Sequence, residues 1–310
     1  MKIFNSIQEF TSPAKTIVTL GTFDGVHKGH RSILEKLVNS GNATGCESVV
    51  LTFFPHPRMV LQQNSDIRLL STMAEKAALL EQTGLDNLIV HPFDMAFSRL
   101  TAEEFVKDIL VDKLNIQKII IGHDHRFGRN RTANIDDLIR FGIEYGFEVE
   151  KISALEVDEV SVSSTKIRNA LSEGNVATAN AYLGYPYFLT GNVVQGKQLG
   201  RTIGFPTANI AITEDYKLIP ANGVYAVTAT IEGSIIDGMM NIGNRPTVDG
   251  TQRTIEVHLL DFSGDIYGKS IQVNLLSRLR DEEKFPSVDA LKEQLGKDRD
   301  TTLAYFKTIR

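Results

Sequence analysis

Two histidines three residues apart, His27 and His30, sit in the stretch Gly21-Thr22-Phe23-Asp24-Gly25-Val26-His27-Lys28-Gly29-His30. Upstream, Ile17-Val18-Thr19-Leu20 has the β-branched composition of a buried strand. Downstream, Ile33, Leu34, Leu37 and Val38 recur at helical spacing, so a helix is expected to begin near Gly29. On its first turn the two imidazoles would share one face, where free N–H groups and the helix dipole favour an anion. They could donate hydrogen bonds to phosphate oxygens there and stabilise charge that develops during transfer. Glycines flanking the pair let the backbone turn tightly or approach a ligand closely.

Three further stretches in the first half could join that chemistry. Thr52-Phe53-Phe54-Pro55-His56-Pro57 ends a strand-like run; its prolines make a rigid rim, and an aromatic beside it could hold a flat ring or simply stop the strand. Gly122-His123-Asp124-His125-Arg126-Phe127-Gly128-Arg129-Asn130-Arg131 carries three arginines that could pair with phosphates, or form a solvated charged loop. Ser161-Val162-Ser163-Ser164-Thr165-Lys166-Ile167-Arg168 opens a helix with hydroxyls that cap it and leave spare donors.

These stretches are positioned by strand-like segments at 48–54, 87–90, 118–121 and 147–152. Helices are expected at 74–83, from a Thr101/Glu104 capping box onward, and near 135–145. The alternation predicts a parallel α/β sheet covered on both faces, with ligands beyond the carboxyl ends of its strands. A closing helix over 175–183 precedes a boundary at Gly184-Tyr185-Pro186, which gives domains 1–183 and 184–310. Beyond it, β-rich runs at 193–194, 224–231, 235–242, 255–260 and 271–276 predict an antiparallel barrel. Helices near 287–296 and 301–309 finish the chain.

The second half has its own candidates. The glycine-dense Gly191-to-Ile210 stretch contains Gly196, Lys197, Gly200, Gly204, Pro206, Thr207 and Asn209. It could wrap phosphates with backbone amides or be a plain hairpin loop, and it is no Walker A loop. Glu256 shares a strand face with Thr254 and His258 by alternation.

Across 310 residues the net charge is −5, which gives no electrostatic case for a nucleic-acid partner. One cysteine, Cys46, rules out an internal disulfide and a thiolate zinc cluster. No signal-like or membrane-length apolar run is present, so a cytoplasmic protein without a membrane partner is expected. A weak homo-oligomer is left open.

His27-x-Gly29-His30 resembles the nucleotidyltransferase signature, and the wider Gly21-to-His30 string resembles the FAD synthetase branch. The Thr52-to-Pro57 and Gly122-to-Gly128 strings resemble that branch too, with His125 and Thr132-Ala133 as departures, and Ser163-Ser164-Thr165-x-Ile167-Arg168 resembles a second signature of the nucleotidyltransferases. The second half resembles riboflavin kinases through Pro206-Thr207-Ala208-Asn209, Asn241-to-Thr247, Thr254-x-Glu256-x-His258 and Leu279-Arg280-x-Glu282-x-Lys284-Phe285. Together these resemblances imply a bifunctional enzyme that phosphorylates riboflavin to FMN with ATP and adenylylates FMN to FAD.

By that resemblance His27 and His30 would be catalytic in the first half. Gly21, Phe23, Asp24, Gly29, Ser163, Ser164, Thr165 and Arg168 would bind ATP. Phe54, Pro55, His56, Pro57, Asp124, Arg126 and Phe127 would bind flavin. In the second half Glu256 would be the base, and Gly196, Lys197, Gly200, Gly204, Pro206, Thr207 and Asn209 would bind ATP. Thr207 and Asn209 would also hold Mg2+, and Arg278, Arg280 and Lys284 would lie near the flavin. Two other functions fit parts of the pattern: an adenylyltransferase for another phosphorylated metabolite, and a non-catalytic flavin-binding regulator.

Overall fold

The computed structural model describes residues 1–62, 65–122, 126–152, 162–196, 199–247 and 250–310. They form two compact units, Met1–Ser164 and Thr165–Arg310.

The first unit is built on a parallel six-stranded sheet. Its strands are β1 (Lys2–Phe4), β2 (Thr16–Leu20), β3 (Glu47–Phe54), β4 (Asn87–Pro92), β5 (Ile116–Gly122) and β6 (Glu148–Ile152), in the order β1-β4-β3-β2-β5-β6. This is the expected α/β architecture. Its helices are α1 (Lys28–Thr44), α2 (Pro57–Leu61), α3 (Met73–Glu81), α4 (Ala102–Glu104) and α5 (Ile135–Tyr145). The β2 strand is buried at every position and lies between β3 and β5. The chain fills the β3 side first and then crosses to β5, so the carboxyl end of β2 faces the switch in strand order, where loops part and a ligand fits. Val18, Leu51, Ile119 and Ile121 of the sheet meet Val106, Leu110 and Leu138 of the helices in the core. The expected capping box is present at Thr101 and Glu104, and the chain then continues as a π-helix over Phe105–Val111. The short, exposed edge strand β1 was not foreseen, because three residues carry no readable alternation.

The second unit opens with α6 (Ser164–Ser172, its first residue belonging to the first unit) and α7 (Val176–Leu183). Asn180 ties α7 to the barrel by donating to Leu275 O at 2.9 Å and accepting from Tyr187 N at 2.7 Å. The barrel strands are β7 (Phe188–Val194), β8 (Ala208–Ala211), β9 (Gly223–Ile231), β10 (Ser234–Thr247), β11 (Gly250–Leu259) and β12 (Ser270–Arg280). They close as β10-β11-β8-β7-β12-β9 with every pairing antiparallel, as expected. A one-turn helix, α8 (Leu199–Thr202), interrupts β7 and β8.

Two features differ from expectation. The β8 strand, with its short Ala-Asn-Ile-Ala composition, lies inside the stretch read as a loop. The two expected C-terminal helices are one, α9 (Val288–Ile309). Between the two expected helices Asp298 is buried, and its carbonyl accepts from Thr302 Oγ1 at 2.7 Å, so the helix runs on.

Candidate active sites

In the first unit the sharp turn after β2 is held in an unusual backbone shape. Phe23 and Val26 have φ of 44° and 37°, with Gly25 at 82° between them, and non-glycine residues adopt such angles only when their surroundings enforce them. The enforcing contacts come from residues 70–76. The Asp24 carboxylate, 1 % exposed, accepts from Leu70 N at 2.9 Å and Ser71 N at 3.3 Å. Gly25 N donates to Ser71 Oγ at 3.3 Å, and Lys76 Nζ donates to Thr22 O at 2.7 Å. Asp24, expected at ATP, therefore shapes the turn through these bonds.

The turn delivers both histidines to the start of α1. His27 is its N-cap, with Nδ1 accepting from His30 N at 3.4 Å. A neutral His27 bonded in this way carries its proton on Nε2. The two rings stack with centroids 3.6 Å apart, and Phe23 closes the other side of His30 at 5.0 Å. His30 Nδ1 is buried and has no hydrogen-bond partner among the described residues. Burial, then the neighbouring His27 and Lys76, hold the His30 imidazole well below its usual pKa. The first turn of α1 contains no acid but does contain Lys28 and His30, an arrangement the helix dipole disfavours until an anion arrives. Gly21 N donates to Leu51 O at 3.2 Å, and Gly29 is buried in the first turn. Ser164 Oγ, at the start of α6, donates to Asp24 O at 3.0 Å, so this hydroxyl meets the histidine turn directly. Ser163 is half-buried; Thr165 and Arg168 follow on α6, exposed and half-buried.

The expected flavin residues of this unit are placed unevenly. Pro55 follows a cis peptide, His56 caps α2 by accepting from Arg58 N at 3.1 Å, and Pro57 is the first residue of α2. Phe54 is half-buried at the end of β3. The aromatic cluster here is instead built on Phe53, which meets Phe93 at 5.7 Å and Phe97 at 5.4 Å. Arg126 is exposed, whereas Phe127 is 7 % exposed in the core, against Phe105 at 6.0 Å. Asp124 lies outside the described residues.

In the second unit a cavity of 350 Å³ is lined by Thr207, Asn209, Glu256, His258, Arg280 and Phe285, among others. Glu256 on β11 is paired in register with Asn209 on β8, and Thr207 Oγ1 donates to Glu256 Oε2 at 3.3 Å. His258 Nδ1–H donates to Pro206 O at 2.8 Å, and its ring packs on Phe205 at 5.4 Å. The glycines here serve close packing. A Cβ on Gly196 would collide with the Asn209 side-chain amide, and one on Gly200 with Phe205 O. Gly204 has a φ of 88°. Lys197 lies outside the described residues.

Two bulges in β12 re-aim its last residues. Arg280 directs Nε and Nη2 to the Asp298 carboxylate at 2.8 and 2.7 Å, Nη1 to Asp281 O at 2.8 Å, and its guanidinium over the Phe285 ring at 5.6 Å. The Asp298 bonds hold the guanidinium above its usual pKa. Arg278 Nη2 meets Asn222 O at 2.7 Å and Asp281 Oδ1 at 2.8 Å. Lys284 is exposed. Asp298, Lys76 and the cavity-lining His258 were not among the expected site residues, since their positions depend on tertiary contacts.

A family profile described as FAD synthetase matches residues 9–166, and one described as riboflavin kinase matches 183–306. A bifunctional riboflavin kinase/FMN adenylyltransferase of Escherichia coli is 38% identical over 99% of this chain and 98% of its own. The chain belongs to the bifunctional riboflavin kinase/FMN adenylyltransferase family. A Haemophilus influenzae protein of the same description is 39% identical over 94% of each chain. A solved structure titled as a macrolide-efflux protein from Streptococcus pneumoniae shares the fold, with a TM-score of 0.88, 34% identity and 97% coverage of both chains. Among the described residues of this family member, no helix is long and apolar enough to cross a membrane.

Proposed function

We propose that the chain phosphorylates riboflavin to FMN at the barrel and adenylylates FMN to FAD at the His27–His30 turn, releasing pyrophosphate. The observation that carries this reading is that each unit holds its own constellation, with His27 stacked on His30 in one and Thr207 bonded to Glu256 in the other. The order of the two matched families supports it. The functional division we propose is 1–183 and 184–310.

In adenylyl transfer an FMN phosphate oxygen bonds to the α-phosphorus of ATP while the bond from that phosphorus to the pyrophosphate oxygen breaks. A phosphate monoester has a second pKa of about 6, so the nucleophile is already ionised near neutrality and needs no strong base. His27 Nε2–H, the amides of α1 and the hydroxyls of Ser163, Ser164 and Thr165 are the donors for the charged phosphates, with Arg168 as cation. Gly21, Phe23, Asp24 and Gly29 shape that pocket. Phe54, Pro55, His56, Pro57, Asp124 and Arg126 are our proposal for the flavin side, whereas Phe127, expected there, packs on Phe105 in the core.

In the kinase step Glu256 accepts the proton of riboflavin's terminal hydroxyl as its oxygen attacks the γ-phosphorus of ATP and ADP leaves. The carboxylate lies in the cavity, and Thr207 supports one of its oxygens. The donor set is a hydroxyl, an amide oxygen and one carboxylate. No cluster of three or more His, Cys, Asp or Glu exists among the described residues to cage a metal. That set fits Mg2+, which keeps several waters and shares phosphate oxygens. We propose that Thr207 and Asn209 hold it, where it would supply charge neutralisation. Gly196, Lys197, Gly200, Gly204 and Pro206 form the nucleotide loop, and Arg278, Arg280 and Lys284 flank the flavin, Arg280 as a wall of the cavity. A cytoplasmic setting and small-molecule partners complete the proposal, supported by the acidic net charge and single cysteine.

The test is a pair of variants assayed for both steps. His27→Ala or His30→Ala is expected to lower FAD formation about 100-fold with FMN formation intact. Glu256→Ala is expected to do the reverse. Equal loss of both activities in either variant would contradict two separate sites.

A further inference from the structure

Lys76 is 2 % exposed, and neither the expected site residues nor the mechanism above gives it a role. Its Nζ donates to Thr22 O at 2.7 Å, an oxygen that also accepts from Thr52 Oγ1 at 3.3 Å. Thr22 immediately precedes the strained Phe23-to-Val26 turn, so Lys76 grips the turn where it leaves the strand. Leu70 N, Ser71 N and Ser71 Oγ grip its middle through Asp24 and Gly25. Segment 70–76 is thus a clamp whose one cation is brought behind the histidine pair.

A buried ammonium needs a reason, because an apolar side chain of similar length would fill the space without desolvating a charge. Burial pushes the Lys76 ammonium down to about 8, with the Asp24 carboxylate opposing. It is therefore still largely charged near neutrality. The titratable and charged groups around it are Asp24 on the turn, His30 with His27 beyond it on α1, and Glu75 on its own helix. The Glu75 carboxylate is engaged by Thr72 N at 2.9 Å.

We propose that Lys76 is a positioning residue for adenylyl transfer, holding the Thr22–Val26 turn in place and setting a fixed positive charge behind His27 and His30. The turn fixes where the two imidazoles and the first amides of α1 point, and the charge disfavours protonation of His30 before the phosphates arrive. This inference rests on the adenylyltransferase reading above.

The test uses the full chain with Lys76→Met, Lys76→Gln and Lys76→Arg. FAD formation from FMN and ATP is measured with riboflavin phosphorylation in the same samples, and the His30 Cε1 proton is followed by NMR titration. Lys76→Met and Lys76→Gln should lower kcat for FAD formation about 10- to 100-fold. KM for FMN and ATP should stay within about 3-fold and riboflavin phosphorylation should be unchanged. His30 should titrate at higher pH in both variants, and Lys76→Arg should recover most of the rate and the wild-type titration. A purely structural lysine would not move the His30 titration. Should Lys76→Met lose its cooperative melt, Lys76→Gln, which keeps a donor without the charge, decides the matter. Wild-type kcat in Lys76→Gln, an unmoved His30 titration, or Lys76→Arg as impaired as Lys76→Met would each overturn the proposal. A wild-type chain that makes no FAD would instead overturn the adenylyltransferase reading.

Discussion

The Arg280–Asp298 pair gives the most quantitative prediction for the barrel. Asp298→Ala removes the Arg280 bonds at 2.8 and 2.7 Å and that of Gln294 Nε2 at 2.9 Å. Asp298 is 3 % exposed, and the Arg280 side chain is 18 % exposed. Removing one member of a buried pair costs about 3–5 kcal/mol, because the other charge stays behind unpaired. Arg280 keeps Asp281 O as an acceptor and retains some contact with water, which puts the expected loss near the lower end, about 3 kcal/mol. For a unit of this size that corresponds to a fall in Tm of about 6–12 °C. Arg280 and Phe285 also form part of the cavity wall. KM for riboflavin should therefore rise while adenylylation of added FMN stays at its wild-type rate. The assay is calorimetry of the full chain, with both activities read on the same preparation. Arg280→Met combined with Asp298→Leu should regain most of the Tm, since an apolar pair avoids desolvating two charges. It should not regain the riboflavin KM. A Tm within about 2 °C of wild type in Asp298→Ala, together with an unchanged riboflavin KM, would refute the reasoning.

Two other expectations are read from different parts of the molecule. Gly196→Ala places a methyl against the Asn209 amide and should lower riboflavin phosphorylation about 10-fold without changing FAD formation from FMN; a wild-type kinase rate would show that Asn209 can move at no cost. In the first unit, burial lowers the pKa of His30 and, against the opposing Asp94, of His91, whose Nδ1 accepts from Ile7 N at 3.3 Å. The unfolded chain then takes up these protons first, so stability is full above about pH 6.5 and falls as the pH drops below it. Thermal melts between about pH 7 and 5, where carboxylates titrate little, should show that fall, and His91→Gln should reduce it; a flat profile would contradict the assignment.

The sequence makes legible what is periodic or local. The strand–helix alternation, the Thr101–Glu104 box and the start of α1 after His27 each follow from a few neighbouring residues. Less legible are roles created by distant chain segments. Nothing in the spacing around Lys76 separates it from a solvated lysine on a helix; its role depends on Thr22, which lies 54 positions away. Asp298 sits in the gap between the helices expected near 287–296 and 301–309, and its bonds to Arg280 and Gln294 make it a buried anchor. Phe127 illustrates a residue type that is readable when its facing is not, because an aromatic suits a flavin and a core equally well, and here it packs on Phe105. The alternation that assigns faces along β12 fails at its two bulges, so the directions of Arg278 and Arg280 could not be deduced from parity.

The central claim is that one chain carries both steps in succession. Its most direct test is a time course of the purified protein with riboflavin, ATP and Mg2+, with flavins separated by chromatography and pyrophosphate measured alongside. The account predicts that FMN appears first and FAD follows, with one pyrophosphate released for each FAD. Riboflavin left unconverted, or FMN that accumulates with neither FAD nor pyrophosphate appearing, would contradict it.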